Sequence, residues 1–167
     1  MKKKITTNIF VYGTLRKGFG NNRLLKDSRF VGDAVTVRRY GMYASGIPYV
    51  HEDEAFCTVV GEVYEVDIDT LLKLDRLEGH PNFYRRKTVD VCLATGNSIR
   101  ADIYFHQGGV GDHMHKVVNG DYKYQEKEEI EKVSTPTVWE PKIWTSKSYV
   151  SPVKKSLLAA FRARVFN

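Results

Sequence analysis

The chain has 167 residues, 42% of them hydrophobic, enough for a single core and hence for one domain over 1–167. Its two cysteines, Cys57 and Cys92, exclude a disulfide scaffold and leave no CxxC pair for zinc or redox chemistry. A formal charge of +6 favours an anionic partner, here a small-molecule substrate, while dispersed basic residues without a helix-turn-helix or an aromatic RNA-binding signature exclude the usual nucleic-acid binders. No run reaches the roughly eighteen apolar residues of a membrane span and residues 1–4 open no secretory stretch, so a cytoplasmic location without membrane contact is expected.

Residues 5–12 are rich in β-branched and aromatic side chains and stop at Gly13, which predicts a buried strand running into a tight turn. Residues 21–26 suit one or two helical turns, and the alternation of Val31, Val35 and Val37 predicts a long or bent strand across 30–43. A further strand is predicted over 58–66, where Gly61 marks a bulge or a close backbone approach. Asp67 or Asp69 then caps a helix with the apolar stripe Ile68, Leu71, Leu72, Leu74 and Leu77. Gly79 and Pro81 stop that helix, which puts Glu78 in its last turn.

Residues 84–94 and 98–106 flank Thr95-Gly96-Asn97 and read as a hairpin. Residues 107–150 form a less regular region, and Val153, Leu157, Phe161 and Val165 recur every four residues, predicting a C-terminal amphipathic helix over 151–167. Strands interrupted by short helices, without regular βαβ alternation, place the fold in the α+β class.

Two segments stand out together: Val11-Tyr12-Gly13-Thr14-Leu15-Arg16-Lys17-Gly18, and Leu74-Asp75-Arg76-Leu77-Glu78-Gly79 with Pro81 and Tyr84-Arg85-Arg86 behind it. Asn22, Gly61-Glu62-Val63-Tyr64, Ala101-Asp102-Ile103-Tyr104 and Gly120-Asp121-Tyr122 follow in matching order. With these residues the chain resembles the γ-glutamylcyclotransferase-like superfamily, in particular its γ-glutamylamine cyclotransferase and AIG2-like branch. The resemblance implies a small mixed β-barrel with flanking helices and a pocket where the first loop meets a carboxylate. It also implies an enzyme that releases 5-oxoproline from a γ-glutamyl amine or peptide without a cofactor or a metal. Carried over residue by residue, it makes Glu78 the general acid/base and gives substrate binding to Tyr12, Gly13, Thr14 and Leu15, with Asn22 and Tyr104 as further pocket residues.

The chemistry is consistent with those residue types. Release of 5-oxoproline needs the substrate's α-ammonium to lose a proton before it attacks the γ-carbonyl, and the leaving amine must gain one. One carboxyl with a raised pKa can carry both protons. At the negative end of a helix dipole, Glu78 is expected to have such a pKa. Successive backbone N–H groups after a strand, with Gly13 allowing close approach, form a concavity for a carboxylate or an oxyanion.

Asp75 shares a helical face with Glu78 and reads as an anchor for the adjoining turn. Arg85 and Arg86 alternate in a strand, so one is expected to face the pocket and the other solvent. His113 and His115 lack a supporting carboxylate cluster and read as part of a polar loop. Two other functions fit the same residues: a non-catalytic binder of an anionic, nucleotide-like metabolite in the pocket, and an interaction module acting through the basic C-terminal helix.

Overall fold

The computed structural model describes residues 5–123. The helix expected over 151–167, and the part of the less regular region beyond residue 123, lie outside the described residues. In chain order the elements are β1 (Thr6–Val11), a 3₁₀ segment (Gly20–Leu25), β2 (Arg29–Thr36), β3 (Gly41–Ser45), β4 (Ile47–His51), β5 (Val60–Asp67), α1 (Ile68–Leu77), β6 (Tyr84–Leu93), β7 (Ser98–His106) and β8 (His115–Lys116).

Five strands close into a barrel in the order β1-β5-β2-β6-β7. The barrel is mixed because β1 runs parallel to β7, with Ile9 opposite Asp102, while its other pairings are antiparallel. Strand β1 is buried on both faces. Phe10 points into a cluster with Val63, Ile103 and Phe105, whereas Ile9 and Val11 pack on the other side with Leu25, Val66 and Leu74. That two-sided burial accounts for the nearly unbroken apolar run at the start of the sequence.

The strand expected across 30–43 is two strands in different sheets. The ladder of β2 ends at Thr36, whose Oγ1 accepts the Val59 N–H at 3.0 Å. Tyr40 then exchanges backbone hydrogen bonds of 2.8 and 3.1 Å with Cys57, and β3 joins a three-stranded sheet in the order β4-β3-β8. Both sheets bury a face against one core, so the apolar alternation continues through the break and periodicity does not register the change of sheet. Strand β4, a further element not expected from the sequence, follows β3 through a turn at Gly46, where φ is +72°.

Asp67 is the N-cap of α1, its carboxylate accepting the Thr70 N–H at 2.8 Å. The apolar stripe of α1 is narrower than its sequence suggests: Leu71 and Leu74 are buried, while Ile68 and Leu72 are 54% and 56% exposed. The reason is that a helix of ten residues lying on the outside of the barrel buries one row of side chains.

At Gly61 the close approach is realised. A β-carbon there would lie 2.4 Å from the Val11 carbonyl oxygen and 2.6 Å from the Phe10 ring. The bulge sits in β2 instead, where the register shifts between Phe30 and Gly32. Gly61→Ala should therefore destabilise the fold by about 1–3 kcal/mol, the range for overpacking a filled interior. Urea unfolding measures this, and an unchanged midpoint would show that β1 and β5 can separate at no cost.

Candidate active site

Glu78 is the C-cap of α1, and its position is fixed by the backbone around it. Gly79, at φ +61°, donates to the Arg76 carbonyl at 3.3 Å, and His80 donates to the Asp75 carbonyl at 2.9 Å. This pair of bonds is a Schellman motif, in which glycine takes the left-handed conformation other residues avoid. The returning chain adds a third restraint, since Tyr84 N donates to the Glu78 carbonyl at 3.2 Å before entering β6.

Beside Glu78 lies a cavity of about 220 Å³. Tyr12, Gly13, Thr14, Leu15 and Tyr104 line it, so the structure brings together every residue named from the sequence except Asn22. Among the described residues, Glu78 is the one charged member of a wall otherwise made of apolar, phenolic and neutral polar groups. Its mouth is apolar and open: Ile47, Leu77 and Phe83 are 40%, 44% and 50% exposed.

Burial pushes the Glu78 carboxyl up to a pKa of about 7. The cause is desolvation of a carboxyl that sits at the negative end of the helix. Three phenols are close enough for their own ionisation to be opposed by Glu78, and all send their protons elsewhere. Tyr12 donates to the Tyr104 carbonyl at 2.7 Å, Tyr84 to the Pro48 carbonyl at 2.9 Å, and Tyr104 to Asp75 Oδ1 at 2.6 Å.

On the same cavity, the loop after β1 carries unpartnered backbone donors. Two of its carbonyls are engaged: Gly13 O accepts from Arg16 N at 2.9 Å, and Leu15 O accepts from Asn22 Nδ2 at 2.8 Å. Among the described residues, none of the Gly13, Thr14 and Leu15 N–H groups finds an acceptor. Such a row of free donors beside a cavity suits an anionic group. Gly13 also permits tight packing, because a β-carbon there would sit 2.5 Å from the Pro48 ring.

Asn22 stands behind this loop, also reaching the Tyr64 hydroxyl at 3.2 Å, and lines a neighbouring cleft. Asn21 lines the cavity in its place and donates to Thr14 Oγ1 at 3.0 Å. The sequence reading did not select Asn21, Tyr84, Ile47 or Phe83. Tyr84 belongs to a segment already singled out and was within reach, whereas Ile47 arrives through the unexpected β4. The loop itself is held by Arg16, which is 6% exposed and pairs with Asp121 at 2.7 Å and Glu62 at 3.5 Å.

Neither arginine of the 85–86 pair lines the cavity, contrary to the expectation that one would face it. Arg85 is exposed, and Arg86 is held between Asp75 and Asp102, its Nε 2.9 Å from Asp75 Oδ1 and its Nη1 2.7 Å from Asp102 Oδ2. Asp75 is thus an anchor for β6 and β7, through Arg86 and the Tyr104 hydroxyl, and not for the adjoining turn as expected. Among the described residues, no three His, Cys, Asp or Glu side chains converge on a metal-sized site, and no helix is long and apolar enough to cross a membrane.

Comparison with known proteins agrees with this geometry. Residues 9–124 match the model of the family described as "Gamma-glutamyl cyclotransferase, AIG2-like". A protein of Methanocaldococcus jannaschii provisionally named a gamma-glutamylcyclotransferase is 50% identical over 116 residues, covering 69% of this chain and 94% of its own. The gamma-glutamylaminecyclotransferase of Rattus norvegicus is 33% identical over 113 residues, covering 58% of this chain and 76% of its own. The crystal structure of an AIG2-like protein from Mus musculus superposes with a TM-score of 0.60 at 26% identity, covering 70% of this chain and 88% of that one.

The raised pKa has a thermodynamic consequence. Between the ordinary value of 4.5 and the folded value of about 7, the folded protein binds more protons at Glu78 than the unfolded chain does. Stability from this group therefore falls as pH rises across that interval, and the deficit is complete above it. Glu78→Gln removes the deficit. The variant should exceed wild type by about 1–3 kcal/mol at roughly pH 8 and match it near pH 4. Urea unfolding at both pH values measures this, and an equal gain at both would contradict a buried, titrating carboxyl.

Proposed function

The chain belongs to the gamma-glutamyl cyclotransferase, AIG2-like family, a family of enzymes, and on that footing we propose that it releases 5-oxoproline from a γ-glutamyl amine, with Glu78 moving the protons. The observation that carries this reading is Glu78 itself, the sole charged group among the described residues of the cavity wall, with a carboxyl poised to titrate near neutrality on the same cavity as the Gly13 to Leu15 loop, whose N–H groups have no acceptor among the described residues.

In the proposed reaction the substrate's α-carboxylate accepts hydrogen bonds from the Gly13–Leu15 loop, which turns the α-ammonium toward Glu78. The Glu78 carboxylate takes one proton from the ammonium. The freed amine attacks the γ-carbonyl carbon, a C–N bond forms, and the carbonyl π electrons move to oxygen. As the tetrahedral species collapses, the bond to the leaving nitrogen breaks and that nitrogen takes the proton from the Glu78 carboxyl. The ring nitrogen gives its second proton to the regenerated Glu78 carboxylate, which passes it to the departing amine; the products are 5-oxoproline and an alkylammonium ion, and Glu78 returns to its starting state. A carboxyl with a pKa near 7 serves both steps, since it is a stronger base than an exposed glutamate and still a usable acid.

Chemistry of the mouth bears on the leaving group. Ile47, Leu77 and Phe83 offer apolar surface, and among the described residues no cationic side chain lines the cavity to pair with a second carboxylate. An amine carrying an aliphatic stem fits this wall better than the carboxylate of a γ-glutamyl dipeptide placed next to the α-position.

Glu78→Gln should lower kcat by about two to four orders of magnitude with little change in KM, because the loop and not the carboxyl holds the substrate. The assay is 5-oxoproline release from a panel of γ-glutamyl amines, followed by mass spectrometry. A folded Glu78→Gln protein with near-normal kcat would remove Glu78 from the mechanism.

A further inference from the structure

Glu78 has a neighbour that could abolish its unusual titration. A phenol donating a hydrogen bond to a carboxylate stabilises the ionised form and draws its pKa back toward that of an exposed acid. Tyr104 lines the cavity with Glu78 and is coupled to it electrostatically, yet its hydroxyl proton points to Asp75 Oδ1 at 2.6 Å. Tyr12 and Tyr84 are different in kind. Their protons go to backbone carbonyls, of Tyr104 and Pro48, held in place by main chain that no single side-chain change removes.

Asp75 is well fitted to keep that proton. Arg86 donates to both of its oxygens, Nε to Oδ1 at 2.9 Å and Nη2 to Oδ2 at 3.1 Å. Asp102 fixes Arg86 from the other side at 2.7 Å and in turn accepts from Thr88 Oγ1 at 2.6 Å. Burial alone would raise the Asp75 carboxyl, but the hydrogen bonds from Arg86 and Tyr104 outweigh it and hold the group below its ordinary value. Asp75 is therefore an anion at any pH where Glu78 titrates, and an anion at that distance leaves the Tyr104 hydroxyl one orientation.

We propose that Asp75 is a positioning residue of the site: by capturing the Tyr104 hydroxyl proton it denies the Glu78 carboxyl a hydrogen-bond donor and leaves the Tyr104 oxygen to face the cavity as an acceptor. The proposal rests on the reading of Glu78 as the proton-carrying group. It adds a task for the oxygen it frees, since an acceptor beside Glu78 suits the substrate's α-ammonium. Among the described residues, the titratable groups that act on Glu78 are Tyr84 from β6, Tyr104 from β7 and Tyr12 just after β1, with no cation among them.

The test reads the Glu78 carboxyl directly, through its ¹³C resonance in glutamate-labelled protein, assigned by its loss in Glu78→Gln and followed against pH. No substrate is needed, so failure of every γ-glutamyl amine to react would sink the proposed reaction without touching this result. In Asp75→Ala the Tyr104 hydroxyl is released to Glu78, and the midpoint should fall by about one pH unit or more. In the double variant Asp75→Ala with Tyr104→Phe no donor remains, and the midpoint should return to near the wild-type value. Tyr104→Phe alone should leave it unchanged, a measurement that stands even if Asp75→Ala does not fold. The proposal is overturned if the midpoint rises in Tyr104→Phe, which would mean that Tyr104 already donates to Glu78. It is overturned equally if the single and double Asp75 variants fall together, as they would if water simply entered a loosened site.

Discussion

A carboxyl group partly withdrawn from water, with no hydrogen-bond donor to its side chain among the described residues, is the constraint around which this candidate site is organised. Taking an anion out of water costs far more than the net stability of a small domain allows unless the group is paired or neutralised. Glu78 is neither paired nor hydrogen-bonded by its side chain among the described residues, so its environment favours the protonated form up to near neutrality. Asp75, one turn earlier on the same helix, shows the opposite outcome, because Arg86 and Tyr104 supply the donors that Glu78 lacks. Two carboxylates within one helical turn are thereby driven apart, one a fixed anion and the other a group able to exchange protons.

The rest of the fold holds the two sides of the cavity in place. On one side, the Schellman turn at Gly79 and the bond from Tyr84 N fix the backbone of Glu78. On the other, buried Arg16 ties the loop after β1 to Glu62 in β5 and to Asp121 near the end of the described residues. Glu62 also receives Lys17 N at 2.8 Å and the Tyr64 hydroxyl at 3.0 Å. Gly120 enters this arrangement by close packing, since a β-carbon there would lie 1.9 Å from the Thr58 carbonyl oxygen. Segments that look unrelated along the chain are thus parts of one clamp. It leaves the carbonyls of Gly13 and Leu15 engaged and the N–H groups of Gly13 to Leu15 without an acceptor among the described residues.

Local signals were legible in the sequence where one segment determined its own structure. Strand β1, the 3₁₀ turn at Gly20–Leu25, the Asp67 cap, the Gly79 stop and the β6-β7 hairpin all follow from composition, capping and turn chemistry within a few residues. The site was legible because two motifs, each ambiguous alone, carry a family resemblance together, and the barrel brings them to one cavity. What the residues did not reveal depends on distant partners. The break between β2 and β3 hinges on Thr36 meeting Val59, and the exchange of Asn21 for Asn22 at the cavity depends on the phase of a 3₁₀ turn. Likewise, Arg86 is drawn from the pocket by Asp102, which lies across the hairpin and cannot be paired with it by local spacing.

The most direct measurement of whether Glu78 and the Gly13–Leu15 loop form one substrate site is a crystal structure of the protein with 5-oxoproline, the proposed product. The ligand should occupy the cavity with its carboxylate on the N–H groups of Gly13 to Leu15 and its ring nitrogen beside the Glu78 carboxyl. A ligand seated outside this cavity, or one bound in it with the carboxylate turned away from the loop, would contradict the assignment of the two halves to a single site.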